Sequence, residues 1–271
     1  MNRIIIFFIL LFFTVNANAV PPVTHTPLST KVFNDVIFYF NFDEIYTAQW
    51  NGTTGEVKDH SGNNYNGKAT LALSVLSGGK FYASYVADAV TGHYVDIGSN
   101  ESFAPSQAKG FSYTFWAKGT DTTHDMSFFA KSADGSGGIY CMAGFTADAI
   151  TFMLENPSPY PNVLQNWSNC KALVSNGNWH FFCFVALRTD SSATKASLQI
   201  WMDGVQVDDK ATGGAFPGLV YETDTFRIGQ YQGSNRSWDG SIDDFAMHNH
   251  GLTQAEILFI YYDQIGQQGE Q

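Results

Sequence analysis

The chain has 271 residues and a formal net charge of −11, from 25 acidic and 14 basic side chains. That balance repels nucleic acid phosphate and anionic lipid at long range, so neither is an expected partner. A chain of this length buries a substantial core, and single β-sandwich domains reach this size.

Residues 1–19 read as an export signal: Arg3 gives the charged start, 4–13 the apolar stretch, and Ala17-Asn18-Ala19 an A-x-A cleavage site. The stretch is shorter than the ~20 residues a bilayer span needs, so no membrane insertion is expected; the alternative is an uncleaved anchor. The product is expected to be secreted and extracellular, or periplasmic or at the cell surface if the source is bacterial. Residues 20–34, with three prolines, form an extended leader.

From residue 35 the chain repeats short alternating or apolar runs: VIFYFNFDE, KFYASYVAD, HYVDIG, FSYTFWAKG, MSFFAKS, GIYCMAGF, AITFMLE, CKALVS, WHFFCFVALR, SLQIWMDG, DTFRIGQ and SIDDFAMH. Separated by Gly, Asn, Asp and Ser, they predict an all-β fold, a two-sheet antiparallel β-sandwich. The Asp203-Gly204 pair between strands is a hairpin signal. Only residues 253–262 look helical, opened by a capping box of Thr253 and Glu256. One domain over 35–262 is expected, with a polar tail at 263–271.

Three cysteines are present. Cys183, within FFCFVAL, reads as a small buried hydrophobe. Cys141 and Cys170 flank a loop-rich stretch, and a disulfide between them is the expected pairing in an exported chain. N-x-S/T sequons stand at Asn51, Asn100, Asn166 and Asn235; their meaning depends on a eukaryotic or bacterial origin.

Aromatic residues in irregular polar loops make better binding candidates than those on strands. Loop 156–169 (NPSPYPNVLQNWSN) offers Tyr160 and Trp167; a second group is Tyr231, Asn235, Arg236 and Trp238. The alternative is that Trp167 and Trp238 pack over sheet edges, while Trp116, Trp179 and Trp201 lie on strands and belong to the core. His248 and His250 could share one strand face and touch a metal, although a surface pair without function is the simpler case.

Several segments, taken in order, resemble one known family. They are Asn41-Phe42-Asp43, the D-x-S-G-N-x-x-N-G loop over 59–67, Gly92 with YVDI, FSYTFW, Trp179-His180-Phe181, IWMDGV, FRIG, WDGSIDDF and LTQAEI. This set is similar to the laminin-G-like jelly roll of the concanavalin A-like lectin/glucanase superfamily, over roughly residues 35–262. The resemblance implies a structural Ca2+ with Asp43, Asn63 and Asp243 as side-chain ligands, residue types that suit calcium. The alternative is that these groups cap turns. In the glucanase branch, carboxylates work as E-x-D-x-E on one strand. Here Glu222 and Asp224 begin that pattern, but Phe226 replaces the last acid. No catalytic residues are therefore expected. The expected function is a secreted, non-catalytic module binding a glycan or glycoprotein; the alternatives are a glycoside hydrolase and a structural coat or adhesion protein.

Overall fold

Alternation along the chain becomes two antiparallel sheets in the computed structural model, which describes residues 35–43, 56–70, 78–81, 83–87, 93–103, 110–121, 123–131, 138–144, 148–155, 163–188, 196–207, 210–212, 225–231 and 236–266. The expected export signal, the leader up to residue 34, Tyr160, Asn235, Glu222 and Asp224 lie outside the described residues. The first strands are β1 (Val36–Phe40), β2 (Lys68–Ala69), β3 (Tyr85–Ala87) and β4 (Val95–Asp96). Next come β5 (Phe111–Gly119), β6 (Asp125–Lys131), β7 (Gly138–Gly144), β8 (Ala149–Glu155) and β9 (Val163–Ser168). A one-turn helix α1 (Lys171–Val174) leads to β10 (His180–Arg188), β11 (Ala196–Met202), β12 (Val205–Gln206) and β13 (Lys210–Thr212). β14 (Arg227–Ile228), β15 (Gly240–His248) and helix α2 (Gln254–Gly266) complete the order.

One sheet runs β1-β15-β5-β10-β11-β12 with β3 also on β15; the other runs β13-β9-β8-β7-β6-β14-β4-β2. The core lies between them. Phe111, Tyr113 and Phe115 of β5, Phe182 and Phe184 of β10 and Ile200 of β11 face Phe128 and Phe129 of β6 and Ile150, Phe152 and Leu154 of β8. Tyr113 meets Phe129 across the layers at 4.4 Å between ring centres, and Phe115 stacks on Phe245 at 5.2 Å. Each such ring, fully buried, contributes about 1.5–3 kcal/mol of transfer energy.

The run HFFCFVALR is apolar at nearly every position because both faces of β10 are covered. Phe182, Phe184 and Ala186 enter the sandwich core. Phe181, Cys183 and Val185 join Trp116 and Trp201 under Leu252, Ile257 and Ile260, so α2 roofs the outer face of this sheet. The capping box forms: the Thr253 amide donates to Glu256 Oε2 at 2.8 Å, and the Glu256 amide to Thr253 Oγ1 at 3.4 Å. α2 runs to Gly266, past residue 262, where the helix was expected to end. Gln264, polar yet buried, explains the difference: it accepts from the Trp116 indole at 2.8 Å.

Two other expectations are corrected. CKALVS is not a strand; residues 171–174 form α1, with Cys170 at its N-cap. The stretch 156–169 is not irregular throughout, because 163–168 pair with β8. At the hairpin, Asp203 (φ 51°) and Gly204 (φ 79°) both take left-handed backbone, as a tight turn between twisted strands requires. Asp203 also accepts from the Phe181 amide (2.9 Å) and pairs with His180 Nδ1 (2.7 Å), tying the hairpin to β10.

Candidate functional site: the outer face of the eight-stranded sheet

Among the described residues, no helix covers the outer face of the sheet that contains β6, β8, β9 and β14. Strand alternation sets what it displays. Val95, Phe226 and Ile228 point inward, so Tyr94, Asp96 and Arg227 point outward. Ile150, Phe152 and Leu154 point inward, leaving Thr151 and Met153 outside, in register with Asn166 and Leu164. Arg227 pairs with Asp96 on one side and Ala130 on the other.

A short hairpin folds onto this face, with Gln230 bridged to Ser237 and the Tyr231 amide donating to the Arg236 carbonyl at 3.1 Å. Tyr231 packs on Ala130 and Met153. The Arg236 guanidinium lies 5.9 Å from the Tyr231 ring centre. The Arg227 guanidinium lies 4.2 Å from that of Tyr94 and donates through Nη1 to Gln230 Oε1 at 3.0 Å. Gln230 Nε2 donates in turn to Ser237 Oγ at 3.1 Å. Two guanidiniums over two tyrosines, one held by an amide relay, make a pre-organised polar and aromatic surface suited to hydroxylated ligands.

Of the expected ligand-binding residues, Tyr231 and Arg236 sit on this face. Tyr231 is buried and supports Arg236 from below; it is not an open platform. Trp238 is fully buried, its ring 4.3 Å from that of Phe128, and faces the core. Trp167 is also a core residue, because β9 alternation turns it inward with Gln165. Both tryptophans are removed from the binding set. Tyr94, Arg227 and Gln230 were missed by sequence reasoning. Their signal lay in HYVDIG and FRIG, whose alternation already put Tyr94 and Arg227 opposite the apolar positions.

The acids lie on the other side of the molecule. A β-bulge between Asp243 and Ala246, with Asp244 at φ 49°, lets Ile242 and Phe245 both enter the core and turns the two acids out, Asp243 against Gly79 and Phe81. Asp243 is fully buried and accepts from the Asp244 amide (2.9 Å) and the Phe81 amide (3.1 Å). Burial, then the charges of Asp244 and Asp43, push its carboxyl well above the usual carboxylate range. Asp244 accepts hydrogen bonds from the Tyr39 hydroxyl and the Gln264 side-chain amide. Asp43 accepts from the Ala83 amide at 3.3 Å. Lys80 brings one positive charge near Asp243, its Nζ 4.2 Å from the Trp116 ring centre.

Asn63 does not join Asp43 and Asp243. Its Nδ2 donates to the Val36 and Ile37 carbonyls at 3.0 Å, at the other end of β1, roughly 15–20 Å away by strand rise. The loop acid that organises 59–67 is Asp59: its oxygens accept from the amides of Tyr39, Ser61 and Tyr65 and from the Ser61 hydroxyl, all at 2.9 Å. Gly62 (φ 93°) and Asn64 (φ 62°) supply the left-handed turns between. Among the described residues, no three His, Cys, Asp or Glu side chains converge to hold a metal ion. With Asn63 held at the far end of β1, Asp43 and Asp243 would need backbone carbonyls to complete a calcium shell.

Cys170 is a buried thiol and is not bridged to Cys141. Cys141 aligns through Phe152 with Gln165, two strands away, and Cys170 lies five residues farther along. The separation is roughly 10 Å across and 16 Å along, beyond the ~7 Å Cα limit for a disulfide. Cys183 is buried, as expected. His248 is buried rather than at the surface, with Nε2 3.0 Å from Thr114 Oγ1, while His250 lies between Asp35 (3.7 Å) and Glu256 (3.4 Å).

The laminin-G-type family model of the concanavalin A-like lectin/glucanases superfamily matches residues 89–258, and the chain belongs to this superfamily. No curated protein matches the sequence. Among solved structures it is similar to the binding domain of Paraclostridial Mosquitocidal Protein 1, with TM-score 0.61 and 11% identity over 86% of this chain and 53% of that one. It is similar to domain 4 of AbnA, a GH43 extracellular arabinanase from Geobacillus stearothermophilus in complex with arabinotriose (TM-score 0.55, 14% identity, 82% of this chain and 96% of that one). A structure of botulinum neurotoxin type C, described as interacting with two ganglioside molecules, gives TM-score 0.59 and 15% identity over 86% and 52%. The chain spans about half the length of these toxin chains. Identities this low establish the shared fold alone.

Proposed function

We propose that the chain is a secreted, non-catalytic recognition module that binds carbohydrate, free or carried on a glycoprotein, through the outer face around Tyr94, Arg227 and Gln230. The observation that carries this is the relay Ser237–Gln230–Arg227, which sets a guanidinium over an aromatic ring on a sheet face that no described helix covers. Support comes from the expected export signal, the superfamily, and similar folds described as binding domains, as interacting with gangliosides or as complexed with arabinotriose. Asp43 and Asp243, without Asn63, would hold any stabilising calcium on the opposite side of the sandwich, away from the proposed sugar site.

A glycan array probed with the purified chain tests this. Saturable binding that weakens in Tyr94→Ala is expected. Failure of every glycan to bind would favour a structural role, and release of reducing sugar from polysaccharides would favour the hydrolase.

A further inference from the structure

We infer that the sugar recognised at Arg227 carries a carboxylate. This deepens, and rests on, the proposed carbohydrate binding at the same face.

Arg227 is one of only three arginines after residue 3, in a chain whose acidic groups outnumber its basic ones. Its partners are nonetheless neutral: the Tyr94 ring beneath and the Gln230 amide at Nη1. The facing carboxylate, Asp96, spends Oδ1 on the Gly98 amide at 2.8 Å and forms no ion pair with Arg227 among the described residues. Nε–H is buried with no acceptor. A guanidinium has five N–H donors in a planar fork, and here one has an acceptor. The relay through Gln230 to Ser237 and the stacking on Tyr94 fix the plane of that fork, so little rotamer freedom is lost when an anion docks. Planar carboxylate oxygens match two guanidinium N–H donors at once, whereas a neutral sugar hydroxyl meets only one donor at a time. Arg236, over Tyr231 on the same hairpin, adds positive field.

Calorimetric titration of the full chain with matched saccharides tests this: 3′-sialyllactose against lactose, and trigalacturonate against its methyl ester. In one of the two pairs the acidic member should bind roughly tenfold to hundredfold more tightly, as for a hydrogen-bonded charge. In Arg227→Gln that preference should vanish, the acidic member losing its excess affinity over the neutral one. Arg227→Lys, which keeps the charge but loses the fork, should retain only part of it. Unchanged melting of each variant separates loss of recognition from loss of fold. Equal binding of acidic and neutral members by the native chain, or an undiminished preference in Arg227→Gln, would overturn the inference and leave carbohydrate binding standing. No binding of any of these sugars, with none on the array, would overturn both.

Discussion

The indole Nε1 of Trp116 donates to Oε1 of Gln264 at 2.8 Å, joining two buried groups 148 residues apart in sequence. Gln264 also donates to Asp244, so the last turn of α2 is wired to the bulge in β15. Gln264→Leu leaves the indole and Asp244 short of a partner, and a buried group so orphaned costs about 1–3 kcal/mol. Chemical denaturation should show that loss with an unchanged slope. Truncation after Tyr262 should cost at least as much.

Asp59 is the largest single staple of the 59–67 loop. Asp59→Ala removes the acceptor for three backbone amides and one hydroxyl. A loss of about 3–4 kcal/mol in urea unfolding is expected. Asn63→Ala, which removes only two exposed or half-buried bonds, should cost under about 1 kcal/mol.

His248 makes stability fall in mild acid. Burial first, then the neighbouring His250, lowers its folded pKa from 6.5 to about 3. Above pH 6.5 neither state holds the proton and the neutral ring's contribution is complete. Between 6.5 and 3 the unfolded chain takes up a proton that the folded one refuses, so this group removes about 1.4 kcal/mol per pH unit. Thermal melts from pH 7 to 4 should show the slope, and His248→Gln should flatten it.

Asp243 has the opposite sign. With its folded pKa raised by burial and by Asp244, it favours folding below the usual carboxylate value, and that contribution disappears as pH rises through the folded one. At neutral pH its ionisation is a cost that a cation would relieve. Calcium at about 100 times its Kd should raise stability by about 2.7 kcal/mol. The shift should be absent in Asp43→Asn, and sugar binding should be unchanged by chelator.

Cys170 and Cys183 are buried thiols. Both should be inert to a thiol reagent in the native chain and be alkylated on unfolding without reductant. A reducing agent should leave the melting temperature within a degree. A mass two hydrogens low at a peptide containing Cys170 would contradict this.

The sandwich was readable because period-two alternation is a local property of each strand, and FSYTFW and SLQIWMDG keep it cleanly. The helix start was readable for the same reason, since Thr253 and Glu256 form the cap by themselves. Its end was not, because Gln264 is held by a residue on β5. The proposed binding face eluded sequence reasoning because it depends on pairing: β14 lies between β4 and β6, and only that neighbourhood brings Tyr94 to Arg227. Trp167 and Trp238 misled for the converse reason. Polar neighbours in sequence suggested exposure, while strand direction sent both indoles inward.

The roof formed by α2 has a consequence for attachment. The described chain begins at Asp35 beside β1 and finishes at Gly266 in the roofing helix, both on one side of the sandwich. Both described ends therefore belong to the thatched sheet, not to the one that carries Arg227. The other sheet, with Arg227 on β14 between β4 and β6, is left clear of both described ends.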